Sequence, residues 1–280
     1  MLVDLHIHTY FSDGTQSPEE VVAAAKEQGL SVISVCDHNT VGAYERLVPA
    51  CEAAKIKLIQ GLEIDVAFGN ERLHLLAYGF DPCCKALLEV CRHNLSEYEA
   101  AGIALIKNMA KDYPEISIDD FLEYEHRFGR GGWKSLNYIY DRGLSSYIIE
   151  GSKYFTKYGD YNLRLKDVGT VCEIVHDAGG VSILAHPGNY WQEHKLHDNL
   201  SAMMRYGISG VECFHPRHTK SVEAICVRIC EDNDLYITGG GDGHGEFFRN
   251  GQGAFYNDGA VCDIGVNQIS VSVLKLPFLG

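Results

Sequence analysis

Residues 3–29, VDLHIHTYFSDGTQSPEEVVAAAKEQG, hold one complete strand, loop and helix. VDLHIH alternates like a strand, whose successive side chains point to opposite faces, so His6 and His8 share one face while Leu5 and Ile7 take the other. The helix has Ser17 at its N-cap, Pro18 at its first position and Gly29 at its stop. The intervening loop carries Asp13. Two convergent imidazoles can begin a metal site, but an isolated HxH is equally a hydrogen-bonded surface pair, and the rest of the chain has to decide.

The same scheme recurs along the chain. SVISVCDH (31–38) reads as a buried strand, VGAYERLVPACEAAK (41–55) as a helix despite Pro49, and KLIQGLEIDVAF (57–68) and RLHLLAYGF (72–80) as two more strands. Later, the helix DVGTVCEIVHDAGG (167–180) precedes VSILAHP (181–187), and GISGVECFHP (207–216), the helix SVEAICVRICEDN (221–233) and LYITGGGDGH (235–244) follow. Strands and helices alternate at intervals of about 20 to 30 residues, which predicts a parallel α/β fold. From Pro82 to Tyr161 the rhythm breaks: the patterns are helical and Tyr-rich, with FGRGGWKSLNYIYDRG (128–143) at the centre. The expected organisation is a barrel formed by residues 1–81 and 162–280, with an inserted helical subdomain at 82–161. Such an insertion is either a stabilising cap or, more often, one wall of the active site.

Composition narrows the function. The 280 residues are 46% hydrophobic, enough for a full core, and their formal charge of −14 argues against a broad nucleic-acid-binding face. No polymeric nucleic acid is expected as a partner. The N-terminus shows no basic n-region or apolar h-region, and no apolar run approaches the ~20 residues of a membrane span, so a cytoplasmic protein is expected. Ten scattered cysteines without zinc-ligand spacing read as reduced thiols, with Cys226 and Cys230 packing in a core. Thirteen histidines point to metal.

Nearly every strand ends at a possible ligand: Asp13 after the first, then His38, Glu63, His74, His186, His215, and finally Asp242 and His244. Strand C-termini of an α/β barrel open on one face, where residues distant in sequence meet. Each is ambiguous alone. His74 in RLHLL suits a core histidine, Asp37 a cap or a partner of His38, and Glu63 an edge charge. Together they are harder to explain without cations, because buried charges are costly unless paired or coordinated. His93, His126, His176, His194 and His197 lie on helices or polar loops and are expected to face solvent.

These motifs resemble the PHP family, named for polymerase and histidinol phosphatase. DLHIHTYFSDGT (4–15) is similar to its first motif, CDHNTV (36–41) to the second, GLEI (61–64) and HLLAYGFDP (74–82) to the middle segments, LAHPG (184–188) to the third and GGGDGH (239–244) to the fourth. The resemblance implies a distorted (β/α)7 barrel and a metal-dependent phosphoesterase of the stand-alone branch, a phosphoric ester hydrolase of class EC 3.1. It implies two to three divalent ions, Mn, Fe or Zn. His6, His8, Glu63 and Asp242 would hold the first, Glu63, His74 and His186 the second, and Asp13, His38 and His244 the third. Three divalent ions against three carboxylates leave a positive excess, which reconciles an acidic chain with an anionic substrate. Glu63 would then bridge two of the ions, and a hydroxide bridging two ions would be the nucleophile.

The expected substrate is a small phosphorylated metabolite, a monoester or cyclic phosphodiester, including a nucleotide or sugar bisphosphate. His215 is expected either to contact phosphate or protonate the leaving oxygen, or only to pack. Arg130, Lys134 and Arg217 are candidates for a second anionic group. Where related nucleotide-directed enzymes read GRPHIA, this chain reads GRGGWKS, and Gly241 and Gly243 suggest a roomier site. A hydrolase of C–N bonds, similar to the amidohydrolases, and a non-catalytic metal-binding module are the alternatives. Oligomeric state is not legible.

Overall fold

The computed structural model describes residues 1–159, 162–249 and 262–279. Strand β1 (Leu2–Ile7) leads through a loop to helix α1 (Pro18–Glu27) and back into β2 (Leu30–Val35), parallel to β1. Ser17 caps α1 as its sequence predicts: its hydroxyl accepts the Glu20 N–H at 3.2 Å and the Glu20 carboxylate accepts the Ser17 N–H at 2.7 Å. A reciprocal cap of this kind contributes about 1 kcal/mol and fixes where the loop ends and the helix begins. Helix α2 (Tyr44–Ala54) and the short β3 (Lys57–Leu58), parallel to β2, complete this half.

The next two strands overturn the all-parallel expectation. β4 (Gly61–Phe68) and β5 (Glu71–Tyr78) form an antiparallel hairpin in which Asp65 faces His74 across the ladder. Only Gly69 and Asn70 join them, and a parallel crossover needs a dozen or more residues. Gly69 takes the left-handed conformation (φ 59°) that such a two-residue turn demands. β5 also pairs antiparallel with β6 (Val181–Leu184), after which β6, β7 (Gly210–Phe214) and β8 (Tyr236–Gly239) run parallel. β9 (Ile269–Ser270) lies antiparallel against β1. The described strands thus form two sheets, β3-β2-β1-β9 and β4-β5-β6-β7-β8, in a mixed α/β fold. Single parallel bridges, His38 to Glu63 and Ile7 to Gly243, link the two sheets at both margins.

Between β5 and β6 the described elements are helical at first: α3 (Lys85–Met109), α4 (Ile118–Glu123), α5 (Lys134–Asp141) and α6 (Phe155–Tyr158), followed by α7 (Val168–Asp177). Leu105, Ile106, Met109, Phe121, Tyr138 and Ile139 give the first four a core of their own. The expected end of this segment, Tyr161, lies outside the described residues. α8 (Glu193–Arg205) and α9 (Lys220–Asp232) separate the last strands; α8 was not read from the sequence.

Strand alternation decides what reaches the site. On β4, Leu62, Ile64 and Val66 enter the main core with Leu73, Leu75 and Ala77 of β5, while Glu63 and Asp65 take the opposite face. Each buried aliphatic side chain contributes about 1.5–3 kcal/mol by leaving water, so a one-residue slip that turned the carboxylates into that core is strongly disfavoured. All ten cysteines are free thiols, and Cys226 and Cys230 are buried in the core. No described helix is long and apolar enough to cross a membrane.

Candidate metal centre

The fold brings all nine sequence-predicted ligands together. Donor atoms of His6, His8, Glu63 and Asp242 lie within 4.8 Å of one another, as do those of Glu63, His74 and His186, and those of Asp13, His38 and His244 with His8 added. Glu63, 1% exposed, is the hub. Its Oε2 is 3.3 Å from Nε2 of each of His6, His8 and His38, and its Oε1 is 3.0 Å from His74 Nδ1 and 3.1 Å from His186 Nε2.

These residues fit bound cations better than they fit one another. Among the described residues, His6 Nε2 and both nitrogens of His8 are buried without a hydrogen-bond partner, although His6 Nε2 and His8 Nε2 stand 3.4 and 3.2 Å from Asp242 Oδ1. Such spacing without hydrogen-bond alignment suits neighbouring ligands around one ion with bonds of about 2.0–2.2 Å. An unpaired buried nitrogen is otherwise costly. Burial opposes charge throughout, yet the mutual attraction of opposite charges is strong. Against that burial, Asp242 and Glu63 push His8 up to about 10, and Glu63 and Asp65 push His74 up to about 9. Burial takes His38 down to about 4. The imidazoles facing Glu63, Asp13 and Asp242 hold these carboxyls below their ordinary range despite burial. The cluster attracts positive charge, which protons or metal ions can supply.

A layer of polar groups behind the ligands sets their orientation. Glu212, fully buried on β7, faces His6 Nδ1 at 3.0 Å and accepts the backbone N–H of His186 at 2.8 Å. His244 Nδ1 lies 2.8 Å from the Asp242 carbonyl, which leaves its Nε2 toward Asp13 at 3.3 Å. Asp37, ambiguous in the sequence, accepts the Thr9 N–H and hydroxyl and the Ser12 hydroxyl at 2.6–2.7 Å and so shapes the loop that presents Asp13. Asp4 accepts the N–H groups of Gly241 and Gly265, pinning the fourth motif to β1; burial raises its own pKa to about 6. His186 and Asp242 both adopt positive φ (27° and 50°), which non-glycine residues rarely do.

Several expectations are corrected. Gly241 and Gly243 do not enlarge the site: a Cβ at Gly241 would meet the Asp263 carbonyl oxygen at 2.1 Å, and one at Gly243 the Ile264 nitrogen at 3.0 Å, so these glycines serve close backbone approach. His215 is buried behind Asp242. Its Nδ1 accepts the Arg217 N–H at 3.2 Å, so the ring proton sits on Nε2, 3.3 Å from Asp242 Oδ2. It steadies the Asp242 carboxylate and does not line the cleft. Arg130 forms a bidentate pair with Asp141 at 2.7 and 2.9 Å and lines a neighbouring cleft of about 830 Å³. Lys134 donates to the Leu122 carbonyl at 3.2 Å, also away from the ligands. Arg217 alone of the three lines the cleft above the ligands, a cavity of about 310 Å³. His93 and His126 are half-buried and hydrogen-bonded to the Arg164 carbonyl and to Asn137, whereas His176, His194 and His197 are exposed as expected.

The sequence reading missed Asp65, Glu212, Arg72, Tyr98 and Trp133. Asp65 is two residues beyond Glu63 and thus on its face, and Glu212 is a charge within an apolar strand; both signals were available. Arg72, Tyr98 and Trp133 line the metal cleft with Arg217. Tyr98 and Trp133 stack with ring centroids 4.8 Å apart and planes within 5°.

A convergent cluster of imidazoles and carboxylates, backed by buried acceptors, defines a metal-dependent hydrolase site on a mixed α/β scaffold. The PHP domain model matches residues 4–130, the part of the chain that carries His6, His8, Asp13, His38, Glu63 and His74, and the chain is a metal-dependent phosphoric ester hydrolase. It is 26% identical to the phosphoribosyl 1,2-cyclic phosphate 1,2-diphosphodiesterase of Eggerthella lenta, over 89% of this chain and 96% of that one. It is 28% identical to a 5'-3' exoribonuclease of Haemophilus influenzae (86% and 89%) and 27% to a 3',5'-nucleoside bisphosphate phosphatase of Chromobacterium violaceum (86% and 87%). A Bifidobacterium adolescentis protein, solved as a candidate metal-dependent phosphoesterase, shares the fold with TM-score 0.74 and 24% identity over 96% of this chain and 97% of its own.

Proposed function

We propose that this chain hydrolyses a phosphate ester of a small phosphorylated metabolite, a monoester or a cyclic phosphodiester, with water as the nucleophile. The observation that carries the proposal is the division of Glu63: one oxygen faces His6, His8 and His38, the other His74 and His186. A carboxylate shared in this way supports adjacent ion sites, with His6, His8, Glu63 and Asp242 around one, Glu63, His74 and His186 around a second, and Asp13, His38 and His244, with His8, around a third. Divalent ions such as Mn, Fe or Zn held there would neutralise phosphoryl oxygens and lower the pKa of water.

The chain's own residues do the rest. Arg217, exposed at the cleft and without an ion pair among the described residues, offers a planar, permanently charged fork to a second anionic group. The name of the Chromobacterium relative, a nucleoside bisphosphate phosphatase, supports a substrate with such a group. Trp133, Tyr98, Phe247 and Phe248 give the cleft aromatic walls that exclude water and suit a planar substituent. At about 310 Å³ the cleft suits a small molecule or a terminal nucleotide. In this reading the strands form a distorted seven-stranded barrel, β1, β2, β4, β5, β6, β7 and β8 in ring order, with residues 1–81 and 162–280 as barrel and 82–161 as the segment that completes the cleft.

The test is hydrolysis by Mn-loaded protein of a panel of monoesters, nucleoside bisphosphates, cyclic phosphodiesters and a short 5'-phosphorylated oligoribonucleotide in ¹⁸O-labelled water, read as released phosphate for the monoesters and bisphosphates, as ring-opened phosphomonoester for the cyclic diesters and as freed mononucleotide for the oligonucleotide. Turnover of a small ester with label in the released phosphate, or in the phosphoryl group of the ring-opened product, is expected. Turnover of amides alone would move the assignment to C–N hydrolysis, turnover of the oligonucleotide alone to a nuclease, and no turnover to a metal-binding module.

A further inference from the structure

Asp65 is fully buried, lies outside the ligand set described above and gathers polar contacts from three parts of the chain. It faces His74 directly across the β4–β5 ladder, and its Oδ1 is 3.2 Å from His74 Nε2. The opposite nitrogen of that ring, Nδ1, is 3.0 Å from Glu63 Oε1. A carboxylate on Nε2 keeps the ring proton there and leaves the Nδ1 lone pair for an ion. Asp65 Oδ1 also accepts the Tyr98 hydroxyl at 2.6 Å, and Oδ2 accepts Asn39 Nδ2 at 2.6 Å. Asn94, one turn before Tyr98 on α3, donates to both Asn39 Oδ1 (2.7 Å) and the Asp65 carbonyl (2.8 Å). One inner strip of α3 is therefore fastened to the carboxylate that holds His74, and Tyr98 of that strip carries Trp133 stacked on its ring at the wall of the cleft.

We propose that Asp65 is a positioning residue that couples the metal ligand His74 to the aromatic wall formed by Tyr98 and Trp133, so that one buried carboxylate sets both the orientation of the ligand and the place of the wall. The inference rests on the assignment of His74 as a ligand. Asp65, His38 and His74 also lie close enough to hold an ion between them, but His38 Nδ1 is 3.9 Å away and the Asp65 oxygens already accept from Tyr98, Asn39 and His74. Its lone pairs are committed to protein donors.

The experiment titrates Mn²⁺ into metal-stripped protein and records the visible spectrum of the Co²⁺-substituted form, neither of which requires turnover. Asp65→Asn should weaken one Mn²⁺ equivalent by about 10- to 100-fold and shift the Co²⁺ bands while the number of ions at saturation is unchanged. Tyr98→Phe, which removes a single donor to Asp65, should weaken the same equivalent by about 2- to 10-fold and raise KM for the best ester. Trp133→Leu should raise KM alone. Loss of a whole equivalent in Asp65→Asn would make Asp65 a ligand and overturn the proposal, as would affinity and spectrum unchanged from wild type. If Asp65→Asn does not fold, Tyr98→Phe decides: unchanged Mn²⁺ affinity removes the coupling. Absence of phosphatase turnover in the wild type would overturn the functional reading and leave the metal titration to judge Asp65.

Discussion

Glu212 stands directly behind His6, with its Oε1 3.0 Å from Nδ1, and both side chains are completely buried. The contact places the imidazole proton on Nδ1 and turns the Nε2 lone pair toward Glu63 and Asp242. Glu212 Oε2 meanwhile accepts the backbone N–H of His186, so one carboxylate orients two candidate ligands, one on β1 and one in the loop after β6. Glu212→Gln keeps the shape and removes the charge. The expected result is a fall of about 10- to 100-fold in metal affinity, measured by competition with a chelator, with the fold retained by circular dichroism. Unchanged affinity would reduce Glu212 to packing.

Glu63 carries a larger share, because both of its oxygens face imidazoles of different groups. Glu63→Ala is expected to lose at least one ion per chain and essentially all turnover, as read by elemental analysis alongside an ester assay. Stripping the wild type with chelator should reproduce the loss, and adding Mn²⁺ back should restore the wild type only. Full activity in metal-free protein would remove the basis of the functional assignment.

That these side chains would cluster was legible because their chemistry is concentrated in strand ends: His6 and His8 by alternation, His186, Asp242 and His244 by the motifs around them. The hairpin was not, although its two-residue connection between Phe68 and Glu71 excluded a crossover; a scheme of strand and helix repeats hid it. The cations were the least legible. Arg130, Lys134 and Arg217 look alike in sequence, but which one reaches the cleft depends on where carboxylates such as Asp141 lie in three dimensions. Sequence spacing carries strand faces well and long-range ion pairing poorly. The same limit explains His215, whose strand-end position resembles that of the ligands while its Nδ1 is spent on the Arg217 N–H.

Arg217 and Arg130 can be separated kinetically. Arg217 lines the metal cleft, so Arg217→Ala should lower kcat/KM for a bisphosphorylated substrate by about 10- to 150-fold, the value of a charge-assisted hydrogen bond, and affect a simple aryl phosphate far less. Arg130→Ala should leave both substrates nearly unchanged, because its guanidinium is committed to Asp141. Steady-state kinetics on the two substrates is the measurement. A selective loss in Arg130→Ala would return the second anionic site to the neighbouring cleft.

The Arg130–Asp141 pair has a stability signature of its own. Asp141 is held at about 2, first by hydrogen bonds from Arg130, helped by the Tyr124 hydroxyl, against an ordinary value of 3.8. A carboxyl depressed in the folded state contributes stability that is fully present above the unfolded pKa and is lost as the pH falls through the folded one. The window here runs from about pH 4 down to about pH 2. Because the pair is partly exposed, solvent screening limits its contribution to about 0.2–1 kcal/mol. Asp141→Asn should therefore unfold at lower urea than wild type at pH 7, and the difference between the two midpoints should narrow steadily below pH 4. Urea titrations of both proteins at pH 7, 4 and 3 test this, with Arg130→Ala and the double variant closing the cycle. A midpoint difference that stays constant with pH would show that the substitution acts through something other than the ion pair.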